Sequence, residues 1–121
     1  MAILLTFEYF RIKQSVPLLS PYEVVRMMNQ DQAILIDIRS TLDFEKKHIT
    51  NAIHVNAADL QKQEPLLLKY KQQPLITYCQ FGVSSKASAE QLKQLGFSQV
   101  YSMRGGLQSW ESDHLPVQHG K

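Results

Sequence analysis

Cysteine is nearly absent from the chain: Cys79 is the only one among 121 residues. A single thiol can close neither an intramolecular disulfide nor a cysteine-rich zinc site, so it reads as a free thiol in a reducing compartment, and the chain as cytoplasmic. The four histidines, His48, His54, His114 and His119, show no metal-ligand spacing with a second cysteine, and no metal is expected. Clustered charge is missing as well. The formal net charge is +2 and the basic residues are scattered, which argues against nucleic-acid binding. There is also no long apolar run: the opening MAILLTF lacks a basic flank and meets Glu8 too soon for a signal peptide or a membrane span. No membrane association is expected.

What is present suits one compact domain, with 44% hydrophobic and 20% charged residues. Residues 1–17 carry no clear period and stand as an unassigned N-terminal extension; the domain is expected over 18–117, with 118–121 as a tail. SPYE, from Ser20 to Glu23, combines an N-cap serine, a proline at the first helical position and a glutamate at the third, predicting a helix to about Asn29. AILID over 33–37 is a continuous apolar run ending in a charge, as in a strand buried on both faces. RSTLDFEKKH reads as a turn entering a short helix, AIHVN as a short strand, and 57–72 as weakly helical and interrupted by Pro65. LITYC is a further strand ending on Cys79. A helix then runs from Ser84 or Ser85 to Leu95, with Ala89, Leu92 and Leu95 inward and Gly96 as its stop. QVYSM gives a strand, Gly105 and Gly106 a turn, and LQSWESD a last helix. This alternation implies an α/β fold: a central, mostly parallel sheet flanked by helices on both faces. Sites in such folds lie beyond the carboxyl ends of the strands, where Cys79 falls.

The stretch TYCQFGVSS therefore concentrates the chemistry. A tight turn between a buried strand and a helix needs Gly82, whose backbone reaches angles other residues resist. The loop amides and the helix start can then form an anion cradle that favours thiolate over thiol. Ser84 and Ser85 can add hydrogen bonds, or cap the helix. Lys86 can add a cation from the first turn, and Arg104 stands between a solvated rim charge and a substrate contact. Asp37 and Arg39 read as an ion pair or a brace for the loop, His48 as a packing residue, and Trp110 as core.

Three ordered segments carry a resemblance to the rhodanese family of sulfurtransferases over roughly residues 18–117. LIDIRSTLDFEKKHITNAIHV resembles the family's first signature through Asp37, Arg39, Asp43, Phe44, His48, Ile49 and Ala52. YCQFGVSS resembles its active-site loop, running six residues from Cys79 to Ser84. VYSMRGGLQSW resembles the closing signature through Gly105, Gly106 and Trp110. The resemblance implies a rhodanese-like fold and a thiosulfate sulfurtransferase-like activity. In that reaction Cys79 takes a sulfane sulfur from thiosulfate or a persulfide, becomes a persulfide, and hands the sulfur to a thiol or cyanide, or to a protein partner. It implies Gln80, Phe81, Gly82, Val83, Ser84 and Ser85 as the substrate-binding loop and no cofactor, with Lys86 and Arg104 as candidate rim cations from the reading above.

Departures from the family pattern are expected to matter. Gln80, Phe81 and Val83 are neutral where members active on thiosulfate often carry arginine or lysine, and Lys47 and Asn51 stand where glycines are usual. A neutral, partly aromatic loop fits a persulfide donor better than thiosulfate. A dual-specificity phosphatase or arsenate reductase needs a loop arginine to clamp its oxyanion, and Ser85 stands there instead. The remaining alternative is a non-enzymatic rhodanese-like carrier or regulatory module, in which the cysteine is often lost.

Overall fold

The computed structural model describes residues 16–121. The reading of MAILLTFEYF, and most of the proposed 1–17 extension, lies outside the described residues. The elements are β1 (Leu18–Leu19), α1 (Pro21–Gln30), β2 (Ile34–Asp37), α2 (Thr41–Lys46), β3 (His48–Ile49) and β4 (Ile53–His54). They continue with α3 (Glu64–Leu67), β5 (Leu75–Tyr78), α4 (Ser84–Gln94), β6 (Val100–Met103), α5 (Gly106–Ser112) and β7 (Val117–Gln118). Five strands form one sheet in the order β1-β6-β5-β2-β4, and every neighbouring pair is parallel. From β2 the chain moves outward to β4, then returns to the other side of β2 as β5. The strand order thus reverses between β2 and β5, and the loops after them share the crevice where α/β folds place their sites.

Alternation along the strands splits the core into two layers. Ile36 and Leu75 face one side with Ala89, Leu92 and Phe97; Leu35, Ile76 and Tyr78 face the other with Val24, Leu107 and Trp110. The period of two carries past the end of β5, so Cys79 falls on the same side as Leu75, facing α4. The helix over the SPYE start is built as its residues dictate: Ser20 Oγ accepts from Glu23 N (3.2 Å) and Glu23 Oε1 accepts from Ser20 N (3.0 Å). Gly96, at φ +107°, ends α4 as expected.

Two features differ from expectation. The 57–72 segment holds two short 3-10 turns, Ala57–Asp59 and Leu68–Tyr70, around α3, and Pro65 lies in the first turn of α3 instead of interrupting a helix. There the missing N–H has no partner to lose. The antiparallel pair β3 and β7 was not expected; His48 opposes Gln118 and Ile49 opposes Val117. Two-residue strands carry no periodicity, and only their long-range pairing defines them. That pairing also ties down residues read as a tail, since Gly120 N donates to Glu45 O (2.7 Å). At the other end the ordered body begins before residue 18, because Val16 is buried and Pro17 O accepts from Ser102 N.

The entry into α5 docks directly under the loop after β5. Leu107 N donates to Cys79 O (2.8 Å) and Gln108 N to Gln80 O (3.0 Å). Gly106, at φ +61°, makes this possible: a Cβ there would lie 2.3 Å from Cys79 O and 2.7 Å from the Gln80 carbonyl carbon. Gly106→Ala is expected to destabilise the fold by about 2 to 4 kcal/mol, from backbone strain plus the displaced carbonyls. Urea denaturation checks this, and a loss below about 0.5 kcal/mol, ordinary for a surface change, would contradict it.

Candidate active site

The Cys79 side chain is buried, with 5% of the residue exposed, at the foot of the loop between β5 and α4. Its sulfur accepts hydrogen bonds from Gly82 N (3.1 Å) and Ser85 N (3.4 Å). Gly82 reaches this geometry at φ +88°, and a Cβ on it would lie 2.7 Å from Gly105 N, so the loop presses against the turn before α5. Burial pushes the Cys79 thiol up. The hydroxyls of Ser85 and Ser84 and the N–H groups of Ser85 and Gly82 act the other way and prevail, so the thiol lies below its ordinary range.

Ser84 and Ser85 do not cap the helix with their side chains. Val83 occupies the N-cap position without a capping side-chain bond, and the two serines are the first helical residues. The Ser85 hydroxyl is instead paired with that of Ser102 at 2.8 Å. Thr77 Oγ1 donates to Ser85 O (2.7 Å), fixing the first turn of α4 to the strand that delivers Cys79. Thr77 and Ser102 are direct partners across β5 and β6, both fully buried. Sequence reasoning passed over this pair. Its signal was a hydroxyl residue inside each of two apolar strands, LITY and VYSM, where a buried polar group needs a partner.

Asp37 and Arg39 form the expected ion pair and also brace the loop. Arg39 Nη2 and Nε donate to the two carboxylate oxygens at 2.8 and 3.1 Å, and Asp37 is fully buried. Arg39 Nη1 donates to Gln80 Oε1 (3.2 Å), and Nη2 also reaches Lys47 O. Burial opposes the guanidinium charge, but Asp37 more than offsets it and the net shift is upward. The Gln80 side chain is thus engaged by Arg39, away from the sulfur. Tyr78 joins this cluster: its hydroxyl accepts from Ile49 N (3.1 Å), and burial, then Asp37, push its phenol well up, so it stays protonated.

Phe81 and Val83 lie at the mouth, 59% and 81% exposed. Lys86 and Arg104 are exposed too. Neither belongs to the groups with the largest effect on the thiol, and the Arg104 charge is felt by Glu23 instead. His48 is buried, its Nδ1 bonded to Phe44 O (2.7 Å) and its ring stacked on Phe44 at 3.7 Å. Trp110 is core, with Nε1 donating to Pro116 O (2.9 Å). Among the described residues, no three or more His, Cys, Asp or Glu are grouped to hold a metal ion, and no helix is long and apolar enough to cross a membrane.

Comparison with known proteins identifies the family of the chain. Thiosulfate sulfurtransferase GlpE of Coxiella burnetii is 33% identical over 96 residues, covering 79% of this chain and 88% of the relative. GlpE of Vibrio cholerae is 38% identical over 93 residues, covering 76% and 85%. A rhodanese-related protein from Thermoplasma volcanium superposes with a TM-score of 0.75 at 22% identity, over 84% of this chain and 97% of that one, so the fold is shared. The rhodanese-like domain family model matches residues 20–113, and the chain belongs to the rhodanese family.

Proposed function

We propose that this protein is a sulfurtransferase in which Cys79 carries the sulfur. The observation behind the reading is the pair of backbone donors on the Cys79 sulfur, Gly82 N and Ser85 N, at the start of a helix. A thiolate held this way attacks the outer sulfur of a thiosulfate or persulfide donor. The new S–S bond leaves a persulfide on Cys79, and the donor departs as sulfite or as a thiolate. A thiol or cyanide then attacks the outer sulfur of that persulfide, takes it, and returns Cys79 as thiolate. No net oxidation occurs, and neither step requires a general base.

The relatives' name, thiosulfate sulfurtransferase, supports the reaction class. The non-enzymatic alternative has less in its favour, because a cysteine retained only for packing gains nothing from the two backbone donors bonded to it. A phosphatase reading lacks its clamp, since position 85 is a serine paired with Ser102. The domain is taken to run from 18 to 117, with Val16 and Pro17 before it and Gly120 after it held against its body, and the loop from Gln80 to Ser85 to hold the substrate. A free thiol of this kind suits a reducing compartment such as the cytoplasm.

Cys79→Ser is expected to abolish sulfur transfer to cyanide from either donor while leaving the circular dichroism spectrum unchanged. Substantial turnover by the folded variant would sink the proposal. The lowered thiol pKa gives a second test. Thiolate forms as pH rises through that pKa, so the rate of alkylation of Cys79 should rise with a midpoint below the free-cysteine value of about 8.5. Ser85→Ala removes one hydroxyl from the sulfur and should move the midpoint upward. A wild-type midpoint at or above the free value, or no shift in the variant, would show that these donors do not stabilise the thiolate.

A further inference from the structure

We propose that the physiological sulfur donor is an organic persulfide whose leaving thiolate carries an apolar body that packs on Phe81 and Val83. This rests on the sulfur-transfer reading of Cys79 and names the class of donor. Displacement at sulfur requires the attacking atom, the transferred sulfur and the leaving atom to lie close to a line. Cys79 is buried at the foot of the loop, so that line points outward and the leaving group sits at the mouth. The groups at the mouth therefore select the donor.

The two most prominent of them are apolar. Phe81 and Val83 flank Gly82, whose N–H lies 3.1 Å from the sulfur, and both side chains stand out into solvent at 59% and 81% exposure. Two polar donors of the loop, Gly82 N and Ser85 N, are bonded inward to the Cys79 sulfur, and the Gln80 amide oxygen accepts from Arg39. Sulfite leaving from thiosulfate develops a double negative charge. Placed against these two apolar side chains, it loses water without gaining a partner from them. A thiolate on a hydrocarbon body gains contact with the same surface. The step balances without an oxidant or reductant. The Cys79 thiolate attacks the terminal sulfur of R–S–SH, the new S–S bond forms as the old one breaks, and the electron pair leaves on R–S⁻. The proton stays on the Cys79 persulfide.

The test compares loading of Cys79 by thiosulfate and by a butyl persulfide, following the gain of one sulfur by quenched mass spectrometry. Each rate is divided by that of the same donor with free cysteine, which removes intrinsic reactivity. Expected is a normalised preference for the alkyl persulfide of roughly tenfold or more, as apolar pockets discriminate. Phe81→Ser, an exposed change whose fold circular dichroism checks, should cut that preference severalfold. Val83→Arg should raise loading from thiosulfate severalfold at low salt, the gain shrinking as salt is added. A wild-type preference for thiosulfate, or a donor ratio unmoved by both variants, would overturn the donor assignment and leave Cys79 as carrier. No loading of folded wild-type protein by either donor would overturn the sulfur-transfer reading itself.

Discussion

The sulfur of Cys79 stands where a capping side chain would stand at the start of α4. The first N–H groups of a helix lack partners within it, and a serine or aspartate usually supplies the acceptor. Here Val83 occupies the N-cap position and offers none, and Ser85 N turns to the thiol instead. An anion is the better acceptor at a positive helix end, so the local need of the helix and the chemical need of a nucleophile are met by one contact. The Ser102–Ser85 hydroxyl pair extends the same arrangement into the sheet.

Such a contact is useful only if the loop is held still, and it is held from three sides. From below, the N–H groups of Leu107 and Gln108 fix the carbonyls of Cys79 and Gln80. Gly106 allows that approach because it has no Cβ to meet those carbonyls. From the side, Arg39 grips the Gln80 amide while locked onto Asp37. A buried ion pair adds little net stability, but removing one partner strands the other, at about 3 to 5 kcal/mol. Its value here is positional, since it sets where the loop begins. From the helix side, Thr77 holds the carbonyl of Ser85.

Much of this was legible in the residues. The capping box at Ser20, the run of ILID and LITY, and the Gly96 stop are local signals, and each element formed where its chemistry placed it. Cys79 stood out because a lone thiol sat at a strand end before a glycine and two serines. What sequence reasoning missed depends on contacts between distant residues. The β3–β7 pair joins two-residue segments far apart in the chain, with no period to announce them. Ser85 looked like a cap because it opens a helix; its partner Ser102 lies on another strand, and only the register of β5 against β6 brings them together. Arg39 at the Gln80 amide is likewise a contact that only the fold reveals.

The central claim is that Cys79 carries sulfur between two partners, and intact-mass measurement of the protein tests it most directly. Incubation with a sulfane donor should add one sulfur atom, mapped to the peptide containing Cys79, and later addition of cyanide should return the original mass. A mass unchanged by thiosulfate and by persulfide donors, or a sulfur that cyanide cannot remove from the folded protein, would contradict the account.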